Sequence, residues 1–91
     1  MGLQAVFSGV GQKPFIDLTW APSTETDLAG YNVYRQEAGG EAARINRELV
    51  KTPSFRDETV MPGQKYFYTV SAVDLRGNES PHSEPASEFV P

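Results

Sequence analysis

Cysteine is absent from this sequence of 91 residues, and histidine and tryptophan each occur once. Without cysteine the chain cannot form disulfide bonds, thiolate zinc sites or a cysteine nucleophile. No uninterrupted apolar run approaches the ~18 residues that a membrane-spanning helix requires, so we expect no membrane insertion. Residues 1–9 carry neither a basic n-region nor a long apolar stretch, and we expect no signal peptide in this chain.

Positive charge is scarce as well. The 8 Lys and Arg residues stand against 12 Asp and Glu residues, which gives a net charge of −4. A surface of this sign repels the phosphates of nucleic acids and anionic lipids, so we expect no nucleic-acid partner. The length suits a single domain over residues 1–91. Because residues 87–91 end without a linker-like tail, we expect this domain to be excised from a larger protein.

Turn-forming residues divide the chain into segments of roughly 6–11 residues, a spacing typical of an antiparallel sandwich or barrel. Within the segments, apolar side chains recur at every second position, as in Ile16, Leu18 and Trp20. The longest such series consists of Tyr66, Tyr68, Val70 and Ala72. A period of two places successive side chains on opposite faces of a strand, so each series marks a sheet face turned toward a core.

Residues 41–51 are open to two interpretations. Their composition favours a helix, with Ile45 and Leu49 at helical spacing. The segment is short for an independent helix, however, and it follows Gly39 and Gly40, which suit a hairpin loop. We therefore predict a strand over residues 43–47.

Four segments carry a resemblance to a known family: IDLTW at 16–20, DLAGYNVYR at 27–35, PGQKYFYTVSAV at 62–73 and GNES at 77–80. Together they resemble a fibronectin type III domain, and the sequences of the GNES and GYNVYR segments look more like those of microbial members. The resemblance implies an all-β, seven-stranded immunoglobulin-like Greek-key β-sandwich without a disulfide, with sheets A-B-E and C′-C-F-G. The strands A, B, C, C′, E, F and G are then expected at residues 3–7, 15–20, 30–36, 43–47, 54–57, 65–74 and 83–89.

The same resemblance assigns structural roles to individual residues. Trp20 matches the core tryptophan of strand B, and Tyr66 matches the tyrosine whose hydroxyl pins the connection between strands E and F. The remaining core is expected from Leu28, Tyr31, Val33, Phe55, Val60, Tyr68 and Val70.

Arg35 departs from the family pattern. It stands two positions beyond Val33, where many relatives carry an inward tyrosine. We expect its aliphatic stem to lie along the core margin with the guanidinium in water. The aromatic side chain has moved to Tyr34, which has the opposite parity and is expected to point outward.

The sequence argues against catalysis and against metal or cofactor binding. The single histidine, His82, is expected in a solvated loop, and one histidine without cysteine or carboxylate partners does not form a zinc site. The paired carboxylates at Glu25/Asp27 and Asp57/Glu58 match no EF-hand pattern. Asp57 is expected to make a local turn hydrogen bond after strand E.

Two short motifs occupy the predicted loop between strands F and G. Arg76-Gly77-Asn78 occupies the position of an integrin-binding Arg-Gly-Asp, but its third residue is an amide and lacks the carboxylate that would ligate a metal ion. Gly77 is better explained by a positive φ at a turn. Asn78-Glu79-Ser80 fits a glycosylation sequon, which here coincides with turn chemistry.

The resemblance implies a non-catalytic module: a spacer, an adhesion unit or a protein-binding domain of a larger extracellular or cell-surface protein. Some relatives accompany microbial carbohydrate-active enzymes, so an accessory carbohydrate-binding module is the alternative. An intracellular module stays open, because lack of cysteine also suits the cytosol. We expect the chain itself to be a monomer.

The local hypothesis concerns the outer face of the sheet that contains strands C and F. There Tyr34 and Phe67 are expected to point outward, with Asn32 and Thr69 nearby, as a contact patch for a neighbouring domain, another protein or a polysaccharide. The alternative is that the two aromatic side chains only support each other across strands.

Overall fold

The computed structural model describes residues 2–9 and 11–91 and contains seven β-strands in this part of the chain. The strands are β1 (Gln4–Ser8), β2 (Phe15–Thr19), β3 (Leu28–Glu37), β4 (Ala43–Arg44), β5 (Ser54–Asp57), β6 (Lys65–Asp74) and β7 (Ala86–Phe89). All strand pairs are antiparallel.

Two sheets form the sandwich. One sheet has the strand order β1-β2-β5, and the other has the order β4-β3-β6-β7. These are the predicted sheets A-B-E and C′-C-F-G, so the fold class is confirmed. The bounds of β5 and β6 also match the prediction.

The core lies between the sheets and is built from the alternating positions. Ile16, Leu18 and Trp20 face inward from the first sheet and its edge, and all three are buried. The edge of the Trp20 ring contacts Tyr31, with ring centroids 5.3 Å apart. The other predicted core residues that are buried are Val33, Val60, Tyr66, Tyr68 and Val70. Leu28 and Phe55 are only half-buried and pack at the margin of the core.

Strand β4 is shorter than predicted because a side chain takes over the pairing. The amide of Ile45 still donates to the carbonyl of Val33, at 2.9 Å. The amide of Val33 instead donates to the side-chain oxygen of Asn46, at 2.8 Å. The buried Asn46 carboxamide thus replaces a main-chain partner, and the regular ladder stops at Arg44.

The segment before β7 was predicted to be strand from residue 83, but regular pairing begins at Ala86. Prolines lack the N–H that a ladder needs, and Pro85 lies inside the predicted strand. Two serine hydroxyls compensate: the amide of Ala72 donates to Ser80 at 2.9 Å, and the amide of Val70 donates to Ser83 at 3.0 Å. Residues 80–83 therefore follow β6 without forming a regular strand.

Tyr66 performs its predicted structural role. Its hydroxyl accepts a hydrogen bond from the amide of Met61 at 2.8 Å, which fixes the turn between β5 and β6. The same turn also holds the end of the chain, because the amide of Gly63 donates to the carbonyl of Val90 at 2.7 Å. Gly63 has a φ of 81°, a conformation that favours glycine at this turn.

Candidate functional site

Tyr34 and Phe67 lie on the outer face of the four-stranded sheet, opposite in parity to the buried Val33 and Tyr68. They are not direct cross-strand partners. Tyr34 faces Thr69, and Phe67 faces Gln36, so the two aromatic side chains are diagonal neighbours on adjacent strands. Both side chains are half-buried.

Tyr34 is held by a cluster of polar side chains that follows β6. Its hydroxyl donates to the carboxylate of Glu79, and the Ser71 hydroxyl donates to the same carboxylate oxygen. The ring of Tyr34 stacks on His82, with centroids 4.3 Å apart and planes 25° apart. His82 in turn lies 3.1 Å from the hydroxyl of Thr69, measured at Nδ1. One face and the polar tip of Tyr34 are therefore already engaged within the molecule.

These contacts shift two acid–base equilibria. The hydrogen bond to the Glu79 carboxylate, together with burial, raises the pKa of Tyr34. The hydrogen bonds from Ser71 and then Tyr34 lower the pKa of Glu79. Both shifts arise because the pair is most stable as a neutral phenol bound to an ionised carboxylate.

His82 lies in the loop where the sequence placed it, and its side chain is 43% exposed. Its stacking on Tyr34 was not predicted. The two residues are far apart in sequence, and Pro81 and Pro85 interrupt the alternation that would have revealed which face His82 occupies. No local signal could have found the contact.

Asn32 is 7% exposed, and its side chain is occupied inside the protein. Its oxygen accepts a hydrogen bond from Asn46 Nδ2 at 2.9 Å. The same Asn46 nitrogen also donates to the carbonyl of Glu48 at 3.0 Å. The hydrogen bond between Asn32 and Asn46 thus links the segment after β4 to strand β3, and the Asn32 carboxamide is buried beneath the outer surface.

Phe67 has different neighbours. The Lys65 ammonium lies 5.4 Å from the centre of its ring, within the range of a cation–π contact. Phe89 on β7 pairs with Lys65, which places Phe89 on the same outer face and diagonal to Phe67. Phe89 is 52% exposed, and sequence reasoning missed it as a site residue. Its parity, opposite to that of the buried Val90, was the signal that could have found it.

The prediction that the Arg35 guanidinium lies in water was wrong. The Arg35 side chain is 19% exposed, and Nη1 donates to Asp57 Oδ2 at 2.9 Å and to the Thr59 hydroxyl at 2.7 Å. The guanidinium also lies 5.0 Å from the centre of the Tyr66 ring. A buried carboxylate on the opposite sheet attracts the guanidinium more strongly than bulk water does, so the side chain bends into the seam.

Asp57 makes the predicted turn contact and two further contacts. Its Oδ1 accepts hydrogen bonds from the Thr59 amide at 3.0 Å and the Thr59 hydroxyl at 2.7 Å. Its Oδ2 accepts a bond from the Tyr68 hydroxyl at 2.8 Å in addition to Arg35. Burial by itself would raise the pKa of Asp57, but the hydrogen bonds from Thr59, Tyr68 and Arg35 outweigh it and lower that pKa. Burial, followed by the bond to Asp57, raises the pKa of Tyr68.

The turn after β6 is built around Asp74. Its Oδ1 accepts hydrogen bonds from the amides of Arg76 at 2.9 Å and Asn78 at 2.8 Å, and its Oδ2 accepts one from Asn78 Nδ2 at 3.1 Å. Gly77 has a φ of 87°, as predicted for this turn. These bonds, the Asn78 amide first, lower the pKa of Asp74. Arg76, Gly77 and Asn78 therefore serve turn chemistry here, whereas Glu79 binds the hydroxyls of Tyr34 and Ser71.

Among residues 2–9 and 11–91, no group of three or more His, Asp or Glu side chains is placed to hold a metal ion. The described part of the chain also contains no helix with the length and apolarity needed to cross a bilayer.

No family model matches the chain. A solved structure does: an Fn3-like protein from Clostridium thermocellum superposes with a TM-score of 0.79 and is 33% identical, with 99% of this chain and 88% of that chain covered. The chain therefore belongs to the fibronectin type III-like family.

Two curated relatives are amylopullulanases. The chain is 40% identical over 85 residues to the enzyme from Thermoanaerobacterium thermosulfurigenes, covering 92% of this chain and 4% of the enzyme. It is 42% identical over 66 residues to that from Thermoanaerobacterium saccharolyticum, covering 71% of this chain and 5% of the enzyme. The chain thus spans about one-twentieth of the length of these relatives and corresponds to a small segment of each.

Proposed function

We propose that this chain is a non-catalytic accessory domain of a secreted or cell-surface polysaccharide-active enzyme, in which it holds neighbouring domains at a fixed spacing. The observation that carries the proposal is its identity of 40% and 42% to segments that make up 4% and 5% of two amylopullulanases. A segment of this share corresponds to a single domain beside the rest of such an enzyme.

The state of the titratable groups supports a non-catalytic role. General acid–base catalysis needs a group that can reach a substrate and exchange a proton. Asp57 is buried and accepts four hydrogen bonds within the protein. Glu79 accepts hydrogen bonds from Tyr34 and Ser71, and the His82 ring is stacked on Tyr34. These three side chains are used to hold loops and sheets together.

The path of the chain supports a spacer. Strand β1 begins at Gln4, which pairs with Thr19, and Thr19 pairs with Ser54 at the start of β5. Strand β7 ends at Phe89, which pairs with Lys65 at the end of the β5–β6 turn. The sandwich is therefore entered at one end and left at the other, along a body whose longest dimension is 42 Å. That geometry suits a domain placed in series between others.

A second candidate function is carbohydrate binding at the patch formed by Tyr34, Phe67, Asn32 and Thr69. What favours it is the outward position of Phe67 beside the half-exposed Phe89, because aromatic rings can stack on sugar faces. What weighs against it is the internal use of Tyr34 and Asn32, which leaves no second open ring in the patch itself. We therefore rank the spacer role first.

An NMR titration of the isotopically labelled chain separates the two. We expect no concentration-dependent amide shifts around Phe67 and Thr69 on addition of malto-oligosaccharides or pullulan. Saturable shifts there that Phe67→Ala abolishes, and that Val6→Ala on the other sheet leaves intact, would establish carbohydrate binding and displace the spacer role.

A second experiment removes the domain from its parent enzyme. Unchanged kcat on a short soluble substrate is expected, and a large loss of kcat would contradict a non-catalytic role.

A further inference from the structure

Strands β1 and β7 are edge strands of different sheets, and they lie against each other at one side of the sandwich. An edge strand presents main-chain N–H groups to which another chain can add a strand. The Val90 amide donates to the carbonyl of Gln64, just before β6, and successive amides of a strand alternate in direction. The Phe89 amide therefore points away from β6, toward the open edge of β7.

One carboxylate occupies the open edges of both strands. Glu88 Oε2 accepts a hydrogen bond from the Phe7 amide of β1 at 3.0 Å, and Glu88 Oε1 accepts one from the Phe89 amide at 3.1 Å. Glu88 pairs with the buried Tyr66, and paired residues share a sheet face, so the half-buried Glu88 side chain lies on the inner side of β7. An inward-directed charge at a sheet edge obstructs the addition of another strand.

Strand β1 has no such protection of its own. Its sequence, QAVFS, contains neither a charged residue nor a proline, which are the residues that commonly keep edge strands apart. Val6, at its middle, pairs with Asp17 on the outer face and is 56% exposed. An uncharged edge strand with an exposed β-branched side chain is suited to pairing with another strand.

We infer that the Glu88 carboxylate keeps this domain from pairing with a second copy of itself along β1. The Phe7 amide points to the open edge, so the alternation of amides along a strand directs the Ala5 amide there as well. Two antiparallel copies of β1 can then pair Ala5 with Phe7 through main-chain hydrogen bonds on both sides of a two-fold axis.

The side chains of β1 fit this symmetric pairing. Val6 lies on the two-fold axis and faces its counterpart in the second copy at a non-hydrogen-bonded position, where opposite side chains approach most closely. Gln4 faces Ser8, so no like charges meet. The second copy would take the Phe7 amide that Glu88 now binds, and the two acceptors therefore exclude each other.

Analytical ultracentrifugation over a wide range of protein concentration tests this inference. The natural chain is expected to keep the mass of a monomer, and Glu88→Ala is expected to approach twice that mass. The matched control is Glu84→Ala, which removes the same charge from an exposed side chain and is expected to stay monomeric. Adding Val6→Lys to Glu88→Ala is expected to restore the monomer, because two ammonium groups would then face each other across the pair.

Amide hydrogen exchange locates the contact. In the Glu88→Ala dimer, the Phe89 amide is expected to exchange faster than in the natural chain. The Phe7 amide is expected to stay protected, since the second copy replaces the carboxylate there. In the monomeric double variant with Val6→Lys, both amides are expected to exchange faster.

A folded Glu88→Ala protein that stays monomeric at every concentration overturns the inference, as does a dimer that Val6→Lys leaves intact. Equal association of Glu84→Ala also overturns it, because net charge rather than the position of the carboxylate would then control pairing. Thermal unfolding verifies that each variant is folded. If Glu88→Ala does not fold, Glu88→Gln decides: its carboxamide has one acceptor oxygen for two amides, so a dimer is expected and a monomer contradicts the inference.

Discussion

Two arginine–aspartate pairs stabilise this domain with similar geometry and different surroundings. Arg35 meets Asp57 at 2.9 Å in the seam between the sheets, and their side chains are 19% and 2% exposed. Arg56 meets Asp17 at 2.8 Å on the outer face of the three-stranded sheet, and their side chains are 53% and 41% exposed. Each guanidinium also lies over an aromatic ring, that of Tyr66 or Phe15.

Residue type and distance alone therefore do not determine how much an ion pair contributes to the free energy of unfolding. In the exposed pair, water competes for both charges and dissolved salt screens them, so the net contribution is small. In the buried pair, loss of Asp57 leaves a guanidinium that is only 19% exposed with the Glu37 carboxylate, at 3.9 Å, as its remaining counterion, which is destabilising. The predictions that follow test this difference, beginning with the largest effect.

Asp57→Ala is expected to lower the free energy of unfolding by about 3–5 kcal/mol, because it leaves Arg35 and the Tyr68 hydroxyl without their shared partner. Urea unfolding followed by the fluorescence of Trp20, the single tryptophan, measures this directly. The matched control is Asp17→Ala on the exposed pair. Equal losses in the two variants would show that burial does not distinguish the pairs.

Acid should weaken the buried pair. Because the pKa of Asp57 is lowered in the folded state, its contribution is fully present above its unfolded pKa of about 3.9 and is lost as pH falls below that value toward the folded pKa. Thermal unfolding between pH 6 and pH 2 should therefore show a steeper fall for the natural chain than for Asp57→Asn. Parallel curves for the two proteins would contradict the lowered pKa.

Tyr66→Phe keeps the ring beneath Arg35 and removes the hydroxyl that accepts from the Met61 amide. Loss of this hydrogen bond is expected to cost about 1–1.5 kcal/mol. The same denaturant experiment measures the loss, and increased amide hydrogen exchange at Met61 should locate it in the β5–β6 turn. A loss as large as that of Asp57→Ala would mean that the hydroxyl, rather than the ion pair, holds this seam together.

Of the two ion pairs, the exposed one is expected to give the smaller effect on stability. Asp17→Ala should destabilise the domain by less than about 1 kcal/mol, and the difference from the natural chain should shrink further in 1 M salt. A loss above about 2 kcal/mol that persists in high salt would refute the view of this pair as a screened surface contact.

Glu79 offers a spectroscopic contrast with the buried pair, because its carboxylate is bound at the surface by Tyr34 and Ser71. Glu79→Gln is expected to bring the raised pKa of Tyr34 back toward 10, with little change in stability. Ultraviolet titration of tyrosine ionisation, with Tyr34→Phe to assign the transition, measures the shift. An unchanged Tyr34 transition would mean that Glu79 does not bind the phenol in solution.

The sequence by itself determined the two-sheet architecture, the bounds of β5 and β6, the buried positions of Trp20, Tyr66 and Tyr68, and the outer face on which Tyr34 and Phe67 lie. Alternation and turn residues, which are properties of neighbouring positions, predicted the sheet faces, and the family resemblance supplied the two-sheet architecture, the strand bounds and the roles of Trp20 and Tyr66.

Only the tertiary structure decided which side chains meet across long separations. Arg35 donates a hydrogen bond to Asp57 on the opposite sheet, and Tyr34 stacks on His82 in the segment between β6 and β7. Phe89 lies on the same outer face as Phe67. Sequence periodicity states which face a side chain occupies and carries no information on what lies opposite. The residues that lie opposite a side chain are set by the strand order and by the loops next to Asn46 and Pro85, where regular strand pairing stops. They are also set by the requirement that each buried charge have a partner.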